Sequence, residues 1–175
     1  MNKITTFKKT VKLIKSNRVF EPNLTTQAIL EASEKLKFLK KKKILDLGSG
    51  SGAIGIFLKK KYKKKIDLFL SDKTVHSVSI INSNLKLNKA TGVAKQSDIL
   101  KSWGNEKFDL IINDISAITI SVAKRFWYNQ YIPHDCGNDG IKLSKKFLSS
   151  VEKNLTKTGI ILMPVISISD HKLLT

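Results

Sequence analysis

The sequence predicts an α/β fold, a parallel sheet with helices on both faces. Three observations carry this expectation. Apolar runs of strand length alternate with segments of helical periodicity from Pro22 onward. The first such run empties into four glycines within eight residues, Gly48 to Gly55. At 175 residues the chain fits one domain around a single substantial core.

In chain order, Ile29, Ala32, Leu36 and Leu39 share one face of a predicted helix. Lys43–Leu47 (KILDL) is a short buried strand, and Ile54, Phe57 and Leu58 mark the helix after it, which runs into KKKYKKK. Ile66–Asp72 (IDLFLSD) is the second strand, followed by a helix carrying Val75, Val78, Ile81 and Leu85. TGVAKQSDIL holds a weaker third strand with its exit loop, FDLIIND is the fourth and GIILMPV the fifth. A helix lined by Phe147, Leu148, Val151 and Leu155 connects those last two. Right-handed crossovers place every strand's C-terminal end on one edge, where ligands of such sheets bind. There is no repeat and no interdomain linker.

The net charge is +18, and of 32 cations only Arg18 and Arg125 are arginine. A lysine excess of this kind reads first as a solvated surface, although its field steers the protein toward polyanions at low salt. The single cysteine, Cys136, excludes an internal disulfide and suits a reducing compartment. The N-terminus lacks an unbroken apolar h-region, and no stretch approaches about 20 apolar residues, so a cytoplasmic protein without a membrane span is expected. His76 and His134 lack partners at ligand spacing, and no metal is expected.

Two overlapping patterns fit the glycine-rich turn. Gly50, Gly52 and Gly55 spell G-x-G-x-x-G, the dinucleotide fingerprint; Asp46 with Gly48, Gly50 and Gly52 spells D-x-G-x-G-x-G. Asp46 separates them. A carboxylate at the strand's end repels a pyrophosphate and attracts a sulfonium and an ammonium, which favours S-adenosyl-L-methionine over NAD. Asp72 ends the second strand, where a carboxylate accepts from ribose hydroxyls, and Asp98 follows the third, where it can accept from an adenine amino group.

With these residues in place, the chain resembles class I S-adenosylmethionine-dependent methyltransferases from about Phe20 to its end. More narrowly it is similar to the small-domain group that includes the glutamine methyltransferases of peptide release factors. VFEPNLTTQAIL, ILDLGSGSGAIGI and GNDGIKLSKKFLSSVEKNLTKTGIILMPV carry that resemblance. It implies a Rossmann-like parallel-sheet sandwich, S-adenosyl-L-methionine as cofactor, and a cofactor site of Asp46, Gly48, Gly50, Gly52, Asp72, Asp98, Ile99, Asn113 and Thr26.

The family pattern breaks at the end of the fourth strand. Amino-methylating members carry Asn/Asp-Pro-Pro-aromatic there, whereas this chain has Asn113, Asp114, Ile115 and Ser116. Asn113 and Asp114 are the candidate catalytic residues, Asp114 as a base or as the group orienting a hydroxyl. Trp127–Pro133 (WYNQYIP) offers aromatics over the pocket. Protein side chains or a small molecule are favoured acceptors, with an RNA or DNA amino-methyltransferase and a catalytically silent nucleoside-binding module as alternatives.

Lys40–Lys43 and Lys63–Lys65 enter strands and so fall at the edge opposite the cofactor. Residues 1–19 read as a basic segment ahead of the domain at 20–175, its Lys8, Lys9, Lys12 and Lys15 free to reach the active edge. The chain stops where the family's last crossover helix begins, so the last edge strands are expected to be lacking and the C-terminus to be truncated.

Overall fold

In a computed structural model, the structure describes residues 4–36, 42–115, 118–126 and 136–165. Leu39, Lys40, Lys41, Ser116, Trp127–Pro133, His134 and the terminal segment lie outside the described residues.

Among the described residues, strands and α-helices follow in the order β1 (Ile4–Phe7), β2 (Val11–Ile14), α1 (Leu24–Lys35), β3 (Lys42–Leu47), α2 (Ala53–Tyr62), β4 (Ile66–Asp72), α3 (Val75–Leu87), β5 (Val93–Gln96), β6 (Phe108–Asn113), α4 (Ile120–Phe126), α5 (Lys142–Leu148) and β7 (Leu155–Leu162). Strands β3 to β7 form one parallel sheet in the order β5-β4-β3-β6-β7. All five strands expected from the sequence are present. The order reverses between β3 and β6, which makes the carboxyl ends of those two strands the switch point where such sheets take ligands.

Strand β3 is buried on both sides. Ile44 joins one core cluster with Ile56, Leu58, Leu70 and Ile81, while Leu45 and Leu47 join a second with Phe108, Ile111 and Phe147. A strand covered on both faces is apolar at successive positions, which is why Ile44–Leu45 reads as a run rather than an alternation.

Three local expectations change. The first helix runs from its Asn23 cap to Lys35; the expected Ile29 is buried, and Leu36, just past its end, packs on the same core cluster. The fully buried face also takes in Thr26, Leu30 and Ser33, with Thr26 turned in toward Asp114. Val75 opens α3 at 67% exposure. Leu155 is the first residue of β7, and Val151 lies in a short 3₁₀ turn ahead of it rather than in α5.

The largest difference is the hairpin β1–β2. Residues read as a basic segment preceding the fold contribute Phe7, Val11 and Leu13 to the first core cluster. Among the described residues no third strand joins its outer edge; the side chains of Asn84 and Asn88 take that place. Asn88 Oδ1 accepts from Lys12 N–H at 2.9 Å, Asn88 Nδ2 donates to Lys12 O at 2.7 Å, and Asn84 Oδ1 accepts from Ile14 N–H at 2.9 Å. Asn84 Nδ2 donates to Ser51 O at 2.8 Å, so the same side chain holds the glycine-rich turn. Lys8 and Lys9 consequently sit by the C-terminal end of α3, away from the ligand edge, and Lys8 pairs with Glu31. Of the four lysines, Lys15 alone is placed toward the strands' carboxyl ends, paired with Glu21.

Candidate functional site

Gly48, Gly50 and Gly52 carry φ values of 72°, 53° and 79° between β3 and α2. Residues with a Cβ rarely adopt that conformation. A Cβ on Gly48 would stand 2.7 Å from Ile115 Cγ2, and one on Gly50 would stand 3.3 Å from the Phe20 carbonyl oxygen. The turn is thus pressed between the end of β6 and the segment before α1, its main chain bare. The fourth glycine has another task. Gly55 N–H donates to Asp46 Oδ2 at 2.8 Å, and a Cβ there would lie 2.9 Å from that oxygen. The G-x-G-x-x-G match therefore arises from a glycine that serves Asp46.

Asp46 is buried, and its Oδ1 has no hydrogen-bond partner. Desolvation, with smaller repulsion from Asp114 and Asp72, pushes its carboxyl up to about 7 against the lowering effect of the Gly55 N–H. Asp114 follows β6; its N–H donates to Leu47 O at 3.1 Å, which fastens it beside β3. Its Oδ2 accepts from Thr26 Oγ1 at 3.0 Å, and burial raises its carboxyl to about 6. Asp72 accepts from Gly50 N–H at 3.0 Å and from Thr74 N–H at 3.3 Å, and burial raises it as well. Asp46, Asp72 and Asp114 share one site.

Asp98 stands apart at the rim. It is half-exposed, paired with Lys146 at 2.6 Å and Lys101 at 3.4 Å, and its carboxyl is held below the usual range chiefly by Lys146. Next to it Ile99 lines the cleft at φ 56°, a conformation a β-branched side chain enters only when its surroundings impose it. Ser97 Oγ, which donates to Ile99 O at 2.7 Å, supplies part of that constraint. Asn113 is buried and absent from the cleft's lining. Its Oδ1 accepts from Ile115 N–H at 3.1 Å, and its Nδ2 has no partner.

These residues surround an open cleft of about 1350 Å³, part of it solvent. Among the described residues its lining side chains include the acids Glu21, Asp46, Asp72, Asp98 and Asp114 and the cations Arg18 and Lys73. On a protein of net charge +18 that is a local reversal of sign. The partnerless oxygen of Asp46 and the raised carboxyls around it suit a cationic ligand such as S-adenosyl-L-methionine and oppose a pyrophosphate. Sequence reasoning missed Ser77 and Ile115 in the lining, and it missed the contact between Thr26 and Asp114. The one signal for that contact was the pairing of a buried-face Thr with an acid where the family has proline.

The methyltransferase small domain family matches residues 15–114 of the chain. A release factor glutamine methyltransferase from Flavobacterium psychrophilum is 28% identical over 138 residues, 75% of this chain and 48% of that protein. A ribosomal RNA small subunit methyltransferase C from Haemophilus ducreyi is 41% identical over 73 residues, 41% of this chain and 21% of that protein. The solved structure of a ribosomal protein L11 methylase from Lactobacillus delbrueckii subsp. bulgaricus matches with a TM-score of 0.62 at 19% identity, over 83% of this chain and 61% of that one. That likeness shows a shared fold. The chain spans less than half the length of the curated relatives it matches first. Among the described residues no helix is long and apolar enough to cross a membrane.

Proposed function

The chain belongs to the methyltransferase small-domain family, whose cofactor is S-adenosyl-L-methionine, and from that premise we propose that it holds this cofactor in the acid-lined cleft and directs its methyl group to an acceptor at Asp114. The observation that carries the reading is the convergence of Asp46, Asp72 and Asp114 on a glycine-bared main chain, inside a protein that is otherwise strongly basic.

When bound, the cofactor supplies a methyl group on a sulfonium, transferred in one displacement. The residues of the chain then have separable tasks. Asp46 holds Gly55 N–H through one oxygen and offers the other as a negative charge. Asp72 braces the turn at Gly50, and its carboxylate would accept from the hydroxyls of the cofactor's ribose. Ile99 presents an apolar surface beside it, and Asp98 stands at the rim. Thr26 fixes one oxygen of Asp114, leaving the other to take a proton from, or orient, an amine or hydroxyl acceptor. Alignment of this kind contributes up to about 7–11 kcal/mol to a bimolecular transfer. Asn113 spends its Oδ1 on Ile115 N–H and lies outside the cleft's lining, which speaks against an amide clamp and supports a protein side chain or a small molecule with a titratable nucleophile over a planar amide or base.

The relative named for ribosomal RNA keeps a nucleic-acid acceptor as the second reading. Transfer of tritium from labelled cofactor into fractionated protein, metabolite and RNA pools decides between them. Label in protein or metabolites is expected. Label confined to RNA selects the second reading. Calorimetry provides the prior check: S-adenosylhomocysteine binds and NAD does not, and equal binding of NAD would overturn the proposal.

A further inference from the structure

The lysines are not spread evenly. From Leu47 to Ile66 and from Lys73 to Ser97 the sequence contains no acid, and these stretches include α2, α3 and the turns that follow them. Lys60 and Lys61 lie in the last turn of α2, with Lys63 and Lys64 just beyond; Lys86 lies in the last turn of α3, with Lys89 just beyond; all are exposed.

The hairpin brings more charge to the same place. Lys60 Nζ donates to Thr10 O at 2.6 Å, and Lys12 is bonded on both main-chain groups to Asn88, so the hairpin's turn lies against both helix ends. Thr10 N–H bonds Phe7 O at 3.1 Å across Lys8 and Lys9, whose φ values are 47° and 57°. Both central positions of this turn are left-handed, the conformation that Asn-Gly ordinarily fills, yet both are lysine. Among the described residues, Glu31 and Glu34 of α1 answer part of this charge, through Lys8 and Lys61.

The composition of the face selects its partner. Among the described residues two exposed large hydrophobic side chains lie near this face and they do not form a patch: Ile4 at the end of the hairpin opposite its turn, where it pairs with Ile14, and Val93 at the start of β5. Stable anchoring in a membrane needs apolar side chains that insert beside the basic charge, and a stable protein interface needs an apolar or aromatic centre and is depleted in lysine. Sequence-independent contact with phosphates needs cations alone.

We propose that this face, built from the hairpin turn and the C-terminal ends of α2 and α3, docks the phosphodiester backbone of nucleic acid, on the side of the sheet remote from the cleft. The strands begin at this edge and the cleft lies beyond their other ends, so docking here tethers the protein without presenting a base to the cofactor.

The test compares two quadruple variants of the full chain with equal change in charge. One carries Lys9→Gln, Lys63→Gln, Lys64→Gln and Lys89→Gln; the control carries Lys107→Gln, Lys145→Gln, Lys153→Gln and Lys157→Gln on the α5 and β7 side. Binding to short RNA and DNA duplexes is measured by fluorescence anisotropy across a salt series, with phosphatidylserine vesicles as competitor. The face variant is expected to bind at least tenfold more weakly at moderate salt and to reduce the salt slope by about 2–4, near one per lysine removed. The control is expected to lose less than threefold, and S-adenosylhomocysteine binding to stay within twofold in both, which keeps this result separate from the fate of the cleft. RNA and DNA binding alike support a backbone contact. Equal losses in the two variants reduce the effect to net charge and overturn the proposal, as does displacement of the duplexes by vesicles at matched phosphate.

Discussion

Replacing Asp46 by asparagine should make the free protein more stable at alkaline pH while weakening its hold on the cofactor. The carboxyl ionises at about 7 in the folded chain against an ordinary 3.8. Because the folded state keeps its proton more tightly, this group's contribution to stability falls as pH rises between those values, and above them the buried charge persists as a cost. At about 1.4 kcal/mol per pH unit the cost is roughly 4 kcal/mol. Asparagine still accepts from Gly55 N–H but leaves a buried amide without a partner, a loss of roughly 1–3 kcal/mol. The balance is a gain of about 1–3 kcal/mol, or roughly 2–12 °C in Tm for a chain of this size. Thermal unfolding of both proteins at pH 8 and pH 4, without cofactor, measures it. The advantage should be present at pH 8 and absent at pH 4, while calorimetry shows S-adenosylmethionine binding at least tenfold weaker. A variant less stable than the parent at pH 8 would show that Asp46 is not a strained anion, and the electrostatic account of the cleft would fail with it.

Affinity for S-adenosylmethionine should rise with pH through about 6 to 7, as Asp114 and Asp46 ionise, and level off above; S-adenosylhomocysteine, without the sulfonium charge, should show a shallower rise in the same titration. Thr26→Val removes the hydroxyl that holds Asp114 as an anion, so the carboxyl should titrate roughly 1–2 pH units higher by carbon-detected NMR; an unmoved titration would break the pairing. Gly48→Ala should cost about 2–4 kcal/mol by denaturant unfolding, since its Cβ meets both the side chain and main chain of Ile115 at φ 72°. Adding Ile115→Ala should recover only part of that loss, because the main-chain contacts at 3.1 and 3.2 Å remain.

The parallel sheet was legible because its strands are short apolar runs closed by acids and glycines, a pattern that local spacing preserves. Asp46, Gly48, Gly50 and Gly52 were legible for the same reason, as was Asp72. The hairpin was not. Val11 and Leu13 alternate with Lys12 and Ile14 in burial, but the sequence itself shows only one polar position in that run, and a two-residue turn made of Lys8 and Lys9 carries none of the usual turn chemistry. Asn84 of α3 and Asn88, its C-cap, lie four apart and look polar and solvent-facing; their burial follows from the edge of β2 that they satisfy. The wider buried face of α1 has a similar cause, since Thr26 turns inward toward Asp114, its partner 88 positions along the chain. Contacts across such separations leave no local periodicity to read.

Asn84 gives the molecule a mechanical link. Its carboxamide grips Ile14 N–H with one end and Ser51 O with the other, so whatever quiets the glycine-rich turn also quiets the amino-terminal ribbon some distance behind it. Occupancy of the cleft would then be readable as slower amide exchange at Ile14, a reporter built into the scaffold that no ligand touches.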